Sequence, residues 1–273
     1  MGTKKYRLTG NHIKRGEKIL YQIEALKDFG DVKAGDLGGY IESEENLSQY
    51  DNAWVYGNAQ VHGNAKVYGD AQVYGNAQVY GNAQVFGNAW VFGNAWVCDN
   101  AKVCGNAQVH GNAKVYGDAQ VRDNAQVRGN AQVFGNAQVF GNAWACDNAK
   151  VCDNAEVHGN AKVCDNAKVY GDAKVCDNAD VFGNAQVYGD AEIKSARDYI
   201  VFKNWWSSGR YFTWTRSNNM WKVGCFYGTG EELIKKAYND SKESGREYER
   251  IVRYVESILA DEKRKENEPI GIK

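Results

Sequence analysis

Histidine and cysteine are the side chains of this 273-residue sequence most able to bind a metal or activate a nucleophile, and it holds four and seven of them. His62, His110 and His158 recur every 48 residues in the same V-H-G-N-A-K-V context. Converging on one point they would suit zinc or general-base chemistry; dispersed, they would do neither. Six cysteines (Cys98, Cys104, Cys146, Cys152, Cys164, Cys176) share one slot of a short repeat, where a thiol serves as a small apolar filler. A third set lies near the C-terminus. Arg210, Phe212, Trp214 and Arg216 fall on one face of a strand by period 2, and Lys222 on the next strand can join them. Guanidinium and indole groups on one sheet face are suited to a protein surface or to nucleic acid.

What must position these residues is a repeat. From Asp51 to Lys194, 144 residues, the chain is one hexapeptide, [G/D]-[N/D]-A-x-V-z, written 24 times without insertion. The Ala slot never varies, and the Val slot departs only at Ala145 and Ile193. A period of six fits no amphipathic helix. Alternation within A-x-V-z makes each copy a short strand with Ala and Val on one face, and the Gly/Asp-Asn pair is turn chemistry. Strand and corner at fixed spacing make a β-solenoid. Seven copies open with Asp and all seven continue with Asn, which reads as corner geometry. No ordered Asp spacing for calcium is present.

The repeat resembles the hexapeptide left-handed β-helix family, in which an aliphatic residue is followed four positions later by a small one, as Val55 by Ala59 and Val61 by Ala65. The resemblance implies a triangular prism with three hexads, or 18 residues, per coil. Twenty-four hexads then make eight coils, about 38 Å of rod at the ~4.8 Å inter-strand spacing. It also favours left-handedness and a homotrimer. On that frame the three histidines fall on three different faces. They match neither the zinc site of the trimeric hexapeptide carbonic anhydrases nor an acyltransferase cleft, which needs a loop excursion this rod lacks. An acyltransferase-like site at subunit clefts is the enzymatic alternative. Outward aromatics such as Tyr56, Tyr74 and Phe92 stack one coil apart, as do Phe134 and Cys152. Cys146 and Cys164 become vertical neighbours whose spacing permits a disulfide, although free thiols are the expectation in a reducing compartment.

The ends differ from the rod. Residues 1–50 form a cap with KYRLTG and KILYQIEAL as paired strands, and Gly35, Gly38 and Gly39 read as turn residues. With Leu47-Ser48-Gln49 and Trp54-Val55-Tyr56 this run resembles the cap of the YdcK-like bacterial β-helix proteins and related phage and prophage proteins. That family brings no assigned chemistry. Residues 195–273 carry 15 basic and 12 acidic residues. Three strands (199–205, 210–216, 220–227) precede a helix opened by the Thr229-Gly-Glu-Glu232 capping box and a second at about 245–265. The run Met220–Phe226 with Glu231-Glu232 and Ala237-Tyr238 resembles part of a plant-type AP2 domain. A DNA-binding sheet is thus a further alternative, though so small a positive charge neutralises few phosphates.

The fold expected is therefore mainly β: a cap (1–50), a hexapeptide β-helix (51–194) and a C-terminal α+β module (195–273) with a three-stranded sheet and two helices. The expected function is a non-enzymatic, oligomeric scaffold displaying a protein-binding module, of phage or prophage origin, with a host or phage protein as partner. No catalytic residue, metal or cofactor is expected. A formal net charge of -1 excludes a global polyelectrolyte role. An odd cysteine count without an export signal, and no apolar run near the roughly 20 residues of a membrane helix, point to the cytoplasm. The lone proline, Pro269, falls after the last helix.

Overall fold

The computed structural model describes residues 4–267; Pro269 lies outside them. The chain divides into two compact units, one ending at Asp198 and the other beginning at Tyr199. The first is a parallel β-solenoid of about nine turns. Each hexad contributes a two-residue strand, and successive hexads pass to three sheets in rotation, so that Trp90-Val91 lies between Gln72-Val73 and Gln108-Val109, each 18 residues away. Every repeat Ala, every repeat Val, Ala145 and Ile193 is fully buried. The core is thus built of columns of stacked Val, one per sheet, with columns of stacked Ala beside them. The column running through Val127, Ala145 and Val163 alone has a smaller member.

The corners are held by two devices. Asn side chains in the second slot pass one amide hydrogen bond to the next coil, as from Asn82 Nδ2 to Asn100 Oδ1 at 2.9 Å and from Asn124 to Asn142 at 3.0 Å. The first slot is left-handed: Gly111 has φ +72°, and the Asp residues that replace glycine, such as Asp99 at +60°, adopt the same conformation. Those Asp side chains return something for that strain. Asp99 Oδ2 accepts from the Gly117 N–H (3.0 Å), and Asp153 Oδ2 from the Gly171 N–H (3.0 Å). The Asp-Asn pair is therefore a corner clasp that binds one coil to the next, which the sequence rule reflected without revealing its partner.

The cap is continuous with the rod and accounts for the turn beyond the eight expected. Strands β1 (Tyr6–Arg15) and β2 (Lys18–Ala25) form an antiparallel pair. β3 (Leu37–Ile41) pairs with β2 on one side and, in parallel, with Gln60-Val61 on the other. Leu47 then bridges to Val67. Gly35 occupies a turn, with φ +92°. Gly38 and Gly39 do not: they lie inside β3, where a Cβ on either would come within 2.6 Å of backbone oxygen, that of Val55 or Ala59. Lys5, 1% exposed, closes the end of the rod by donating to the carbonyls of Asp51 (2.9 Å) and Ala53 (2.8 Å). Its burial lowers the ammonium pKa to about 8, against the opposing pull of Asp51.

Cys146 and Cys164 are joined by a disulfide across adjacent coils, with Cα atoms 4.6 Å apart. The expectation of free thiols fails at this pair, because the coil repeat brings the two sulfurs of one column into contact. The bond closes a one-coil loop beside Ala145, where the core column is thinnest. Loops of about this size stabilise by roughly 2–3 kcal/mol. We expect reductant to lower the melting temperature of the solenoid by several degrees. Cys164→Ser should melt at the reduced value and be insensitive to reductant, as read by circular dichroism with and without a phosphine reductant.

The second unit has four strands where three were expected. Tyr199–Lys203, Tyr211–Thr215, Met220–Val223 and Phe226–Gly228 form one antiparallel sheet in that order, since a left-handed Gly224 (φ +56°) breaks the third run into a hairpin. α1 (Gly230–Asp240) opens at the capping box, and α2 (Lys242–Asn267) follows after one residue. Among the described residues, no helix is long and apolar enough to cross a membrane.

Candidate ligand groove in the C-terminal unit

The core of this unit decides what remains available for binding. Phe212 and Trp214 are 0% and 1% exposed and pack with Trp221, Leu233, Ile234, Ala237, Tyr248, Val252 and Val255. The strand Tyr211–Thr215 thus turns its aromatic side toward α1 and α2. The sheet face proposed from alternation is therefore not a binding face. Alternation gave the correct parity, but the side bearing Phe and Trp is the one that must be covered, because burying each ring contributes several kcal/mol.

The five residues singled out from sequence are separated accordingly. Phe212 and Trp214 are core, and the Trp214 indole N–H donates to Asn219 Oδ1 at 2.9 Å. Arg216, past the end of the strand, forms a two-pronged ion pair with Glu262 of α2, at 2.7 and 3.3 Å. Lys222 pairs in register with Thr213, so it belongs to the opposite side of the sheet from Phe212 and Trp214. Arg210 alone reaches a cavity. The AP2-like reading thereby loses the aligned Arg-Trp-Lys face on which it rested.

That cavity, about 450 Å³, lies between the loop before the second strand, the Val223–Phe226 hairpin and the two helices. Its floor is apolar: Val223, Phe226, Leu233 and Ala237. Its rim carries Arg210, Lys236 and Asp240. Neither cation has a carboxylate within 4.0 Å among the described residues. The loop is rigid where it matters. Asn204, 3% exposed, accepts from the Ser207 N–H (2.9 Å) and hydroxyl (3.0 Å), and its own amide donates to the Tyr248 hydroxyl (3.2 Å). Its N–H donates to the Arg210 carbonyl at 2.7 Å, which fixes the start of the Arg210 side chain. The guanidinium lies against Gly224, where a Cβ would be 3.2 Å from Nη1. Burial raises the Tyr248 phenol pKa, with Asn204 and Arg210 pulling the other way, so Tyr248 stays a neutral donor and acceptor at the cavity wall. Lys236 and Tyr248 were missed from sequence. The signal was present only as helix spacing, which places Lys236 one turn before Asp240, whereas Tyr248 read as core stripe alone.

The solenoid presents no comparable convergence of its histidines. His62, His110 and His158 project from strands of three different sheets. Each is stacked on an aromatic ring one coil away: Tyr80 at 5.2 Å, Phe92 at 4.6 Å and Phe140 at 4.8 Å. Burial lowers the pKa of His62 and His110, which favours neutral rings within the stacks. Of the column Tyr56, Tyr74 and Phe92 expected from spacing, Tyr74 and Phe92 stack face to face at 4.9 Å, whereas Tyr56 meets Tyr74 edge-on at 6.4 Å. One group of potential metal ligands is found among the described residues, Cys146, Asp147 and Cys164, and its two sulfurs are bonded to each other.

Comparison with known proteins agrees with this architecture. No curated protein matches the chain. The family model for the YdcK β-solenoid repeat matches residues 77–93 and 83–99, within the second and third coils of the hexapeptide array. Together with the nine-turn solenoid, the match makes this chain a β-solenoid repeat protein whose repeat is similar to that of the YdcK family.

Proposed function

We propose that the chain is a non-enzymatic interaction protein: a homo-oligomeric β-solenoid scaffold that displays its C-terminal unit to a protein partner. The observation that carries this reading is the contrast between the two units. The rod's imidazoles stand in three separate aromatic stacks, whereas the C-terminal unit holds an open cavity whose two cations have no ion-pair partner among the described residues. Self-association is supported by Trp90 and Trp96, which flank one corner of the prism and are 40% and 37% exposed. Indoles so placed offer apolar surface for a symmetry-related copy, and the trimer follows from the hexapeptide resemblance. The resemblance of the cap adds a phage or prophage source, with a phage component or a host protein as the partner.

Sedimentation velocity tests the scaffold half of the proposal. A species of three times the chain mass, reduced to one chain by Trp90→Ala with Trp96→Ala at unchanged circular dichroism, is the expected result. A monomer at all concentrations removes the oligomer.

A further inference from the structure

We infer that the cavity of the C-terminal unit is a recognition site for an acidic peptide segment with an apolar anchor. This names the partner chemistry of the module and rests on its reading as an interaction unit. Three features of the cavity select that ligand. Arg210 and Lys236 border it without a carboxylate within 4.0 Å among the described residues, so an incoming carboxylate meets cations that need not first break an ion pair. The floor of Val223, Phe226 and Leu233 gives one large aliphatic or aromatic side chain a place to leave water. Asp240 stands on the same rim. A carboxylate there accepts from peptide N–H groups, which a polyphosphate or nucleic-acid backbone lacks. A peptide brings carboxylate, apolar side chain and N–H donors together in one chain.

The site is also built before the ligand arrives. Asn204 ties the Ser207 turn, the Tyr248 hydroxyl and the Arg210 carbonyl into one hydrogen-bonded unit, so little loop ordering remains to oppose association. The cavity holds a segment of only a few residues, and the ligand is therefore a short linear stretch.

Selection of a random octapeptide display library on the full-length chain tests this inference. The expected outcome is enrichment of Asp or Glu next to a Leu, Ile, Phe or Trp. A synthetic peptide of the selected sequence should lose about tenfold in affinity against Arg210→Ala or Lys236→Ala, and at least as much when its acidic residue becomes Gln. The Trp206 indole resonance provides the location, since this ring packs edge-on against Tyr248 at 5.0 Å; it should shift on titration and be identified by its loss in Trp206→Phe. Selection without acidic enrichment, equal binding of the Gln peptide, or displacement of the peptide by inorganic phosphate at equal concentration overturns the inference. So does binding unchanged in both variants. The sedimentation result is independent of all these outcomes, so failure here leaves the oligomeric scaffold to stand or fall by itself.

Discussion

Trp214→Ala brings the C-terminal unit to the edge of unfolding while leaving the solenoid intact. Trp214 is 1% exposed, faces Trp221 and Ile200 across its two neighbouring strands, and donates its indole N–H to Asn219. Truncation removes that packing, opens a cavity in a small core and removes the indole's hydrogen bond to Asn219, at a cost of about 4 kcal/mol. A unit of this size has a total stability of the same order, roughly 5 kcal/mol. Amide hydrogen exchange reads the two units separately. The expectation is loss of protection throughout α1, α2 and the four-stranded sheet, with the hexapeptide amides still protected. Had Trp214 been part of a docking surface, the same substitution would leave exchange untouched and weaken only ligand binding. Arg210→Ala is the control that should do the latter.

The contrast between these two residues shows which information the sequence held. Alternation along Arg210–Arg216 assigned parity correctly, but parity does not say which side the helices cover. The decision comes from comparing two burial energies, and two aromatic rings outweigh two solvated arginines. For Lys222 the missing information was register. The turn through Ser217–Asn219, with Asn219 at φ +51°, sets Thr213 opposite Lys222, and one residue more or less would have put the lysine on the other face. The rod was far more legible, because 24 copies average away local ambiguity and leave period, corner and face defined. Its ninth turn was hidden, since Leu37–Ile41 enters the sheet with Gly38 and Gly39 where a hexad offers Asn and Ala, and with Ile41 in the Val slot. The cysteine column was visible in the coil repeat, but oxidation is not encoded in a spacing. The groove was least legible, because Arg210, Lys236 and Tyr248 come from a loop and two helices that meet only through tertiary packing.

The corner slot carries the other large effect, and it depends on the kind of side chain more than on its size. At Gly111, φ is +72° and a Cβ would lie 3.0 Å from both the N and the O of Gly129 in the next coil. Gly111→Val places a β-branched residue in the left-handed region and drives it against a backbone that two flanking coils hold in register. The two penalties together are about 4 kcal/mol. Gly111→Asp faces the same Cβ contact, yet it should cost under about 1 kcal/mol. The chain itself supplies the reason. Asp99, Asp123 and Asp153 occupy this slot at φ 60°, 61° and 61°, each followed by Asn and each accepting the N–H of the glycine one coil on. An Asp at 111 would likewise precede Asn112 and reach the Gly129 N–H, exchanging backbone strain for a charge-assisted hydrogen bond. Thermal melts of the two variants should therefore diverge widely, with Asp close to the parent and Val far below it. Equal destabilisation would mean that the steric contact alone governs the corner and that the Asp clasp contributes nothing. At low pH the two should converge, since protonating the introduced carboxylate weakens the acceptor on which its tolerance rests.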